Sequence, residues 1–586
     1  MNRFLGATLF LCAFGLYVCM GHPALSCFRD SGDLATASVT MGIAHPPGYP
    51  LYILSSRLFG SALPLGNPAY RLNVFSAFQG ALTLLILGMI LARVVDQRSM
   101  LGAVLLATCF GPALSQITLS EVYSLNALWG MGLLGGFFFL QDRPVPVQKR
   151  GWLLLAFLLG LGLGNHHSLI FCGFLFIVFL GRERHRMGWD SRLIVGLIGA
   201  GIAGFSIYSF IPIRASASPD YLWGDTHSLK GLWDILTRAD YGTGTLSTRH
   251  SNASHGQGLL FWANVWAGQW GIAGTIALLW GSVLLLTARY RRSLGNPLWF
   301  LWALTGPLFA YLARLEPSAL TKAILIPSLV WPGLLSAAAV AVLLHWSFSK
   351  HHTGFKGTFF RTTSVALWGI ALATQGLPSL LAHTQRSNFL ATDYARNAAR
   401  TLPPQSVFLV ITDQSMFSIS YLQHALRQRP DIRLLVDADQ SWRWAQSRKK
   451  YPSLFEPGQS DGGLDLIRVQ GAKNRILTDG MQSKLVEVLV PDGIAARAVW
   501  PKRTDGHLAS IIDRQTIWSF YNRRIPPHLT LADDYYSREL LRIASSSAFN
   551  AGLLLTHAGM KEEAQQPWAK ALHWNPDRIL RWSENF

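Results

Sequence analysis

Charge is what this sequence has least of. Asp, Glu, Lys and Arg make up only 14% of its 586 residues, while half of the chain is hydrophobic. Soluble domains carry roughly 25% charged residues, so the composition excludes an ordinary soluble fold and indicates a membrane protein. Acids are scarcer still: 32 against 51 basic residues, a net charge of +19. Such a surplus would suit nucleic acid, unless the basic residues fall in short loops on one side of a membrane and set its topology. The five cysteines are Cys12, Cys19, Cys27, Cys109 and Cys172, with no C-x-x-C among them. That excludes a disulfide framework or a zinc site as the organising feature.

Apolar runs are present in quantity. Those of roughly 18–25 residues can span a bilayer, and candidates lie at about 4–21, 72–92, 99–117, 122–140, 151–165, 167–181, 193–213, 259–288, 297–314, 323–345 and 363–382. About eleven spans are therefore expected. Arg3 and the apolar run after it also fit a cleaved signal peptide, but with so many spans following, an uncleaved first helix is expected. Residues 151–181 could form one long helix. Asn165-His166-His167 would then lie in mid-bilayer, where polar groups are expensive, so two short helices meeting at a polar tip are expected instead.

Under this count one set of loops is basic: Arg3; Arg93 and Arg98; Arg143, Lys149 and Arg150; Arg182, Arg184, Arg186 and Arg192; Arg289, Arg291 and Arg292; Lys350, Lys356 and Arg361. The positive-inside rule makes that side cytoplasmic. The charge surplus then serves topology, no nucleic-acid partner is expected, and the lipid bilayer is the principal partner. The expected placement is the inner membrane of a bacterial-type cell. Polar groups without a topological duty gather on the other face: residues 30–52, 116–126, 165–167, 214–258 and 314–322.

After Ala382 no further span appears. Ser406–Ile411 reads as a buried strand, Asp413–Arg427 as a helix and Ile432–Val436 as a second strand, the strand–helix–strand unit of a small α/β domain. No G-x-G-x-x-G follows its first strand, so nucleotide binding is not indicated. Ala548–Pro576 has the spacing of one tetratricopeptide-like helix pair, which cannot bury its own face and is expected to pack on the α/β domain. The expected division is 1–383 for the membrane bundle, 384–535 for an extracytoplasmic α/β domain and 536–586 for the helical tail.

The stretch Asp30–Tyr52 carries the chemistry. Asp30 and Asp33 are three residues apart and share a face if helical; Asp30 also suits a helix N-cap. A partly desolvated carboxylate can serve as a general base. Pro46, Pro47, Gly48 and Pro50 make a rigid turn around His45 and Tyr49. Glu121, Tyr123 and Asn126 begin a span, where boundary carboxylates tend to be functional. Adjacent His166 and His167 cannot chelate one ion from one helix face, so hydrogen bonding to a phosphate is expected of them, beside Asn165. Arg214 leaves the membrane at the end of a span and either snorkels to headgroups or offers its planar fork to phosphate oxygens. Trp223, Asp225, Arg238 and Tyr241 follow in the same loop.

Asp30-Ser-Gly-Asp followed by Ala44-His-Pro-Pro-Gly-Tyr-Pro-Leu-Tyr52 resembles the signature of a family of multi-spanning glycosyltransferases related to protein O-mannosyltransferases, the group of transmembrane protein 260. RLNVFSA at 71–77, SEVYSLNAL at 120–128, GLGNHHS at 162–168, IPIRA at 211–215, WGD at 223–225, RADYG at 238–242 and the segment 417–430 extend the resemblance over most of the chain. Asp33 departs from the family pattern, which usually has Glu there. That keeps the charge but shortens the reach.

The resemblance implies a GT-C fold: an α-helical polytopic bundle whose first external loop holds the catalytic acid. It implies a polyprenyl-phosphate sugar as donor, a protein or glycan hydroxyl as acceptor, and inversion at the sugar. Asp30 or Asp33 would be the base, with Asp30 favoured. Arg214, Arg238, His166 and His167 would hold the departing phosphate. No cofactor and no divalent metal are expected. Two rivals stand beside this reading: a transporter or flippase for a lipid-linked precursor, and a non-catalytic assembly factor. The first would be expected to show broken mid-span helices or internal repeats; the second leaves the clustered polar groups unexplained.

Overall fold

The computed structural model describes residues 1–141, 143–188, 190–241, 253–287, 296–314, 330–348, 354–437, 441–471, 473–527 and 534–575. Helices α1 (Arg3–Met20), α2 (Ser31–Thr40), α3 (Pro50–Ala62), α4 (Pro68–Leu91), α5 (Gln97–Thr108), α6 (Gly111–Ile117), α7 (Val122–Leu140), α8 (Val145–Leu163), α9 (Ile170–Met187), α10 (Ser191–Phe205), α11 (Phe210–Ser216), α12 (Leu229–Leu236) and α13 (His255–Leu285) come first. They are followed by α14 (Asn296–Ala303), α15 (Val330–Ser347) and α16 (Gly354–Ala371).

Among the described residues six helices are long and apolar enough to cross a bilayer, or seven if α5 and α6, bent by 63° at their junction, form one span. Shorter or more charged helices, α8, α9, α14 and α15, occupy other places where spans were expected. Arg289, Arg291, Arg292, Lys350, the loop 315–322 and the start of the span expected at 323 lie outside the described residues. The chain is an integral membrane protein.

The stretch at 151–181 is split as expected: α8 stops at Leu163, a single turn at His167–Leu169 follows, and α9 begins at Ile170. The helical bundle is held by small and aromatic contacts. A β-carbon on Gly160 or Gly204 would collide with the backbone of the facing helix, so α8 and α10 approach backbone to backbone, as membrane helices do through small residues. Phe137, Trp152, Phe176 and Phe179 pack together in the interior.

Beyond the bundle, α17 (Leu390–Thr401) leads into a five-stranded sheet of β1 (Val407–Val410), β2 (Arg433–Val436), β3 (Ile476–Thr478), β4 (Leu489–Asp492) and β5 (Ala495–Ala498), in the order β2-β1-β3-β5-β4. β1 runs parallel to both β2 and β3, and β5 antiparallel to β3 and β4. α18 (Asp413–Ser420) crosses from β1 toward β2, and α19 (Ser441–Lys450) follows β2. The strand–helix–strand unit read from the sequence is there. The terminal pair is α20 (Tyr535–His557) and α21 (Lys561–Trp574). It packs on the sheet as expected, with Val490, Ala551, Leu555 and Ala564 in one cluster.

The two halves share a core. Leu25, Cys27, Ala35, Ala69, Leu72 and Trp223 from the membrane half are clustered with Phe417, Tyr421, Leu540 and Ile543 from the soluble half. Gly32 makes this close approach possible, because a β-carbon there would stand 2.7 Å from the Phe417 β-carbon. Polar stitches reinforce it: Ala69 N–H donates to the Tyr421 hydroxyl at 2.9 Å, and Cys27 Sγ and Ser537 Oγ are 2.9 Å apart.

Candidate active site

α2 begins directly after Asp30, whose side chain makes no capping bond to the helix. The cap is therefore not its role. Its carboxylate instead lies 3.3 Å from Arg29 Nε and 3.4 Å from His45 Nε2, with 17% of the side chain exposed. Asp33, one turn on, is fully buried. One of its oxygens accepts the His45 backbone N–H at 3.1 Å and pairs with His45 Nδ1 at 2.6 Å. The other accepts the Tyr221 hydroxyl at 2.6 Å. Two acids of like charge are thus placed in unlike surroundings. Asp33 is saturated with donors, and Asp30 keeps an open side.

The proline-rich turn aims His45. Its carbonyl accepts from Gly48 N–H at 2.8 Å, and Gly48 and Tyr49 both take positive φ, +84° and +45°. The Tyr49 hydroxyl then pairs with His45 Nε2 at 3.0 Å. Burial pushes the His45 pKa down, but the carboxylates of Asp30 and Asp33 outweigh it and the net direction is up.

Glu121 closes the floor. It accepts the Asp30 backbone N–H at 3.1 Å and is buried. Burial, then the nearby Asp30 charge, raises its pKa above the usual carboxylate range.

Tyr123 accepts a hydrogen bond from Arg29 Nη1 at 3.0 Å. The His166 ring lies between two tyrosines, stacked near Tyr49 at 6.3 Å and tilted against Tyr123 at 5.4 Å. Ser168 N–H donates to His166 Nδ1 at 3.2 Å. With Nδ1 an acceptor, a neutral His166 carries its proton on Nε2. Burial and then the Arg238 charge push its pKa down, to about 3, so it is a neutral donor. His167 Nε2 pairs with the Tyr208 hydroxyl at 2.9 Å. Asn126 Nδ2 donates to Ser168 Oγ at 3.1 Å and Asn165 Nδ2 to the Val122 carbonyl at 3.1 Å. These two amides hold the histidine tip against α7.

The loop after α11 forms the remaining wall. Ile43 and Leu222 pair as a parallel bridge, and Arg214 Nε donates to the Met41 carbonyl at 2.7 Å. Arg214 thus fastens the end of α2 through that nitrogen. Trp223 stands 5.9 Å from the His45 ring and donates its indole N–H to Asp240 at 3.0 Å. Asp225 is exposed, and its described contact is a backbone one, its carbonyl accepting from Ser228. It stands outside the constellation. The Tyr241 side chain lies outside the described residues. Among the described residues no three His, Cys, Asp or Glu side chains gather as a metal site needs.

Sequence reasoning missed four participants. Arg29 faces Asp30 and Tyr123, and its place immediately before the acidic pair, outside any basic loop, was the available signal. Tyr221 precedes the Trp-Gly-Asp segment. Asp413 and Arg443 come from the soluble domain, and nothing local in the sequence announces them.

Comparison with known proteins places the chain among relatives. Residues 30–187 match the model of the protein O-mannosyl-transferase TMEM260 N-terminal domain. The resemblance read from the sequence therefore holds. Protein O-mannosyl-transferase TMEM260 of Mus musculus is 27% identical over 457 residues, 73% of this chain and 62% of that protein. Protein O-mannosyl-transferase tmem260 of Dictyostelium discoideum is 22% identical over 511 residues, 78% of this chain and 60% of that protein. The chain thus spans about three fifths of the length of these relatives. Among solved structures, apo ArnT from Cupriavidus metallidurans matches with a TM-score of 0.54 at 13% identity, covering 84% of this chain and 97% of that one. The likeness to ArnT is one of fold, the GT-C membrane architecture that the resemblance implied.

Proposed function

We propose that the chain is a membrane glycosyltransferase that moves a hexose, mannose by the names of its relatives, from a polyprenyl-phosphate donor to the hydroxyl of a polypeptide Ser or Thr. The observation that carries this reading is the division between the two acids. Asp33 is committed to His45 and Tyr221, while Asp30 keeps an open oxygen beside the Arg29 guanidinium. In the proposed step Asp30 takes the acceptor proton, the acceptor oxygen bonds to the anomeric carbon, and the bond from that carbon to the phosphate oxygen breaks with its electron pair leaving on the lipid phosphate. The single displacement inverts the sugar. In this reading Arg29, Arg238 and the Nε2–H of His166 would hold the phosphate as its charge grows. His167 and Arg214 support the same wall.

An apolar cavity in the bundle supports a lipid-linked donor. A cavity of about 490 Å³ between α8, α9 and α10 is lined by Leu159, Leu163, Phe176, Leu197 and Ile202. Leu163 also reaches the histidine tip, since its carbonyl accepts from Tyr208, the partner of His167. An isoprenoid tail in that apolar cavity would bring its phosphate to the polar tip. The site would face away from the cytoplasm, as the basic loops indicate, with cationic side chains serving the phosphate in place of a metal.

The test uses the full chain in lipid with radiolabelled polyprenyl-phosphate mannose and a panel of Ser/Thr peptides. Labelled peptide should form, and should still form in excess chelator. Donor that crosses the bilayer uncleaved would favour the flippase reading, and complete dependence on added divalent cation would contradict the metal-independent step.

A further inference from the structure

The soluble domain sets a guanidinium over Trp223, the ring that stands against His45, and a carboxylate beside that guanidinium. α18 lies on α2, with Phe417 packed on Gly32 and 6.3 Å from Trp223. Asp413 is the first residue of α18. From α19, Arg443 lies over the Trp223 ring at 4.7 Å, donates to Met416 Sδ at 3.0 Å and reaches Asp413 Oδ1 at 3.7 Å. Trp223 in turn stands against His45. One continuous chain of contact therefore runs from the soluble domain to the proposed base.

The pair is asymmetric. Arg443 is 9% exposed and fixed by three neighbours, whereas the Asp413 side chain is 60% exposed. A pair made only for stability would gain little with one partner so open to water. Neighbouring protein partly desolvates the Asp413 carboxyl. That desolvation raises its pKa; Arg443 opposes the rise, and the nearby Asp30 and Asp33 charges add to it. α19 is anchored on the same wall, with Gln446 Nε2 donating to the Leu222 carbonyl at 2.8 Å, and α18 leads into His424, whose ring stands 5.9 Å from Tyr221.

We infer that the soluble domain completes the acceptor side of the active site, with Asp413 binding the acceptor polypeptide and Arg443 positioning Asp413. The inference rests on the glycosyl-transfer reading above for the nature of the acceptor. The chemistry fits a peptide. An ionised carboxylate is an acceptor-only group, and a Ser or Thr residue presents a backbone N–H beside the hydroxyl that Asp30 would deprotonate. One acceptor residue can thereby engage both domains. Sugar transfer would then require the two halves to be docked.

Two readouts on the full chain in lipid separate this inference from the function it rests on. Peptide binding is measured directly, by the anisotropy of a fluorescent Ser/Thr peptide, and transfer is measured as KM and kcat. Asp413→Asn and Arg443→Gln should each weaken peptide binding and raise the acceptor KM about tenfold, the loss of one hydrogen bond to a charged group. The donor KM should stay put, and Asp413→Glu should recover part of the loss. Because Asp413 is exposed, its substitutions leave the fold intact. Equal peptide binding by the wild type and both variants overturns the inference, whatever happens to transfer. Weakened binding in the variants, with no transfer by the wild type, upholds the docking role and overturns the proposed reaction.

Discussion

At the scale of single residues, the site depends on two aspartates being made different. Asp33 accepts three hydrogen bonds, one of them from Tyr221 at 2.6 Å across 188 residues of sequence. Hydrogen bonds to a charged group contribute about 1.5–3 kcal/mol each, and a buried acceptor left unsatisfied suffers the full loss. Tyr221→Phe should therefore loosen Asp33 and its hold on His45, lowering kcat roughly tenfold with little change in donor KM, which steady-state kinetics would show. Half of this arrangement was legible in the sequence. Asp33 and His45 both stand in the motif read from the sequence, and the fold brings them into contact. Tyr221, Arg443 and Asp413 were not legible, because Tyr221 meets Asp33, and Arg443 meets Trp223 and Asp413, only through the tertiary fold, and none stands in a pattern that local spacing reveals. Asp225 shows the converse. It belongs to a recognisable segment, yet its neighbour Trp223 is the residue that enters the site.

At the scale of elements, the apolar runs predicted the major helices because burial in lipid leaves an unmistakable length signal. The helix α3 was not legible. Its Ser55, Ser56, Arg57 and Gly60 interrupt any span-length run, and it lies along α4 instead. In the soluble domain β1 and β2 were readable as apolar runs, whereas β5 is a short Ala-Ala-Arg-Ala segment that only its pairing makes a strand.

The end of β3 bears on α18. Asp479, just past it, is buried and accepts the Ile411 N–H at 3.2 Å and the Gln482 amide at 3.0 Å, fixing the turn from β1 into Asp413. Burial raises its pKa to about 7, against the pull of those hydrogen bonds. A carboxyl raised in the folded state binds a proton more tightly there than in the unfolded chain. Its stabilising contribution is thus full below the ordinary pKa near 4 and is lost as pH rises through 7. Between pH 5 and pH 8 the Tm of the wild type should fall by roughly 5 °C relative to Asp479→Asn. Parallel Tm curves for the two proteins would contradict this account of the strand end.

At the scale of the whole molecule, a boundary at residue 383 marks where spans end but not where packing ends. Leu25, Cys27 and Ala35 share a cluster with Phe417 and Leu540, so the loop that carries Asp30 is gripped between the bundle and the soluble domain. The GT-C likeness concerns the overall fold, while the acids, the histidine turn and the wall behind them come together at that junction. This explains why the sequence could name the membrane half and its motif but not the surface that the soluble half presents to it. The central claim is that Asp30 is the base of a glycosyl transfer, with Asp33 its positioning partner. Single-turnover transfer from bound polyprenyl-phosphate mannose to peptide, compared for the wild type, Asp30→Asn and Asp33→Asn, tests it most directly. General-base catalysis contributes about 10²–10⁴-fold. Asp30→Asn should lose a factor in that range while still binding donor and peptide, with the smaller loss in Asp33→Asn. A wild-type rate in Asp30→Asn would contradict the account.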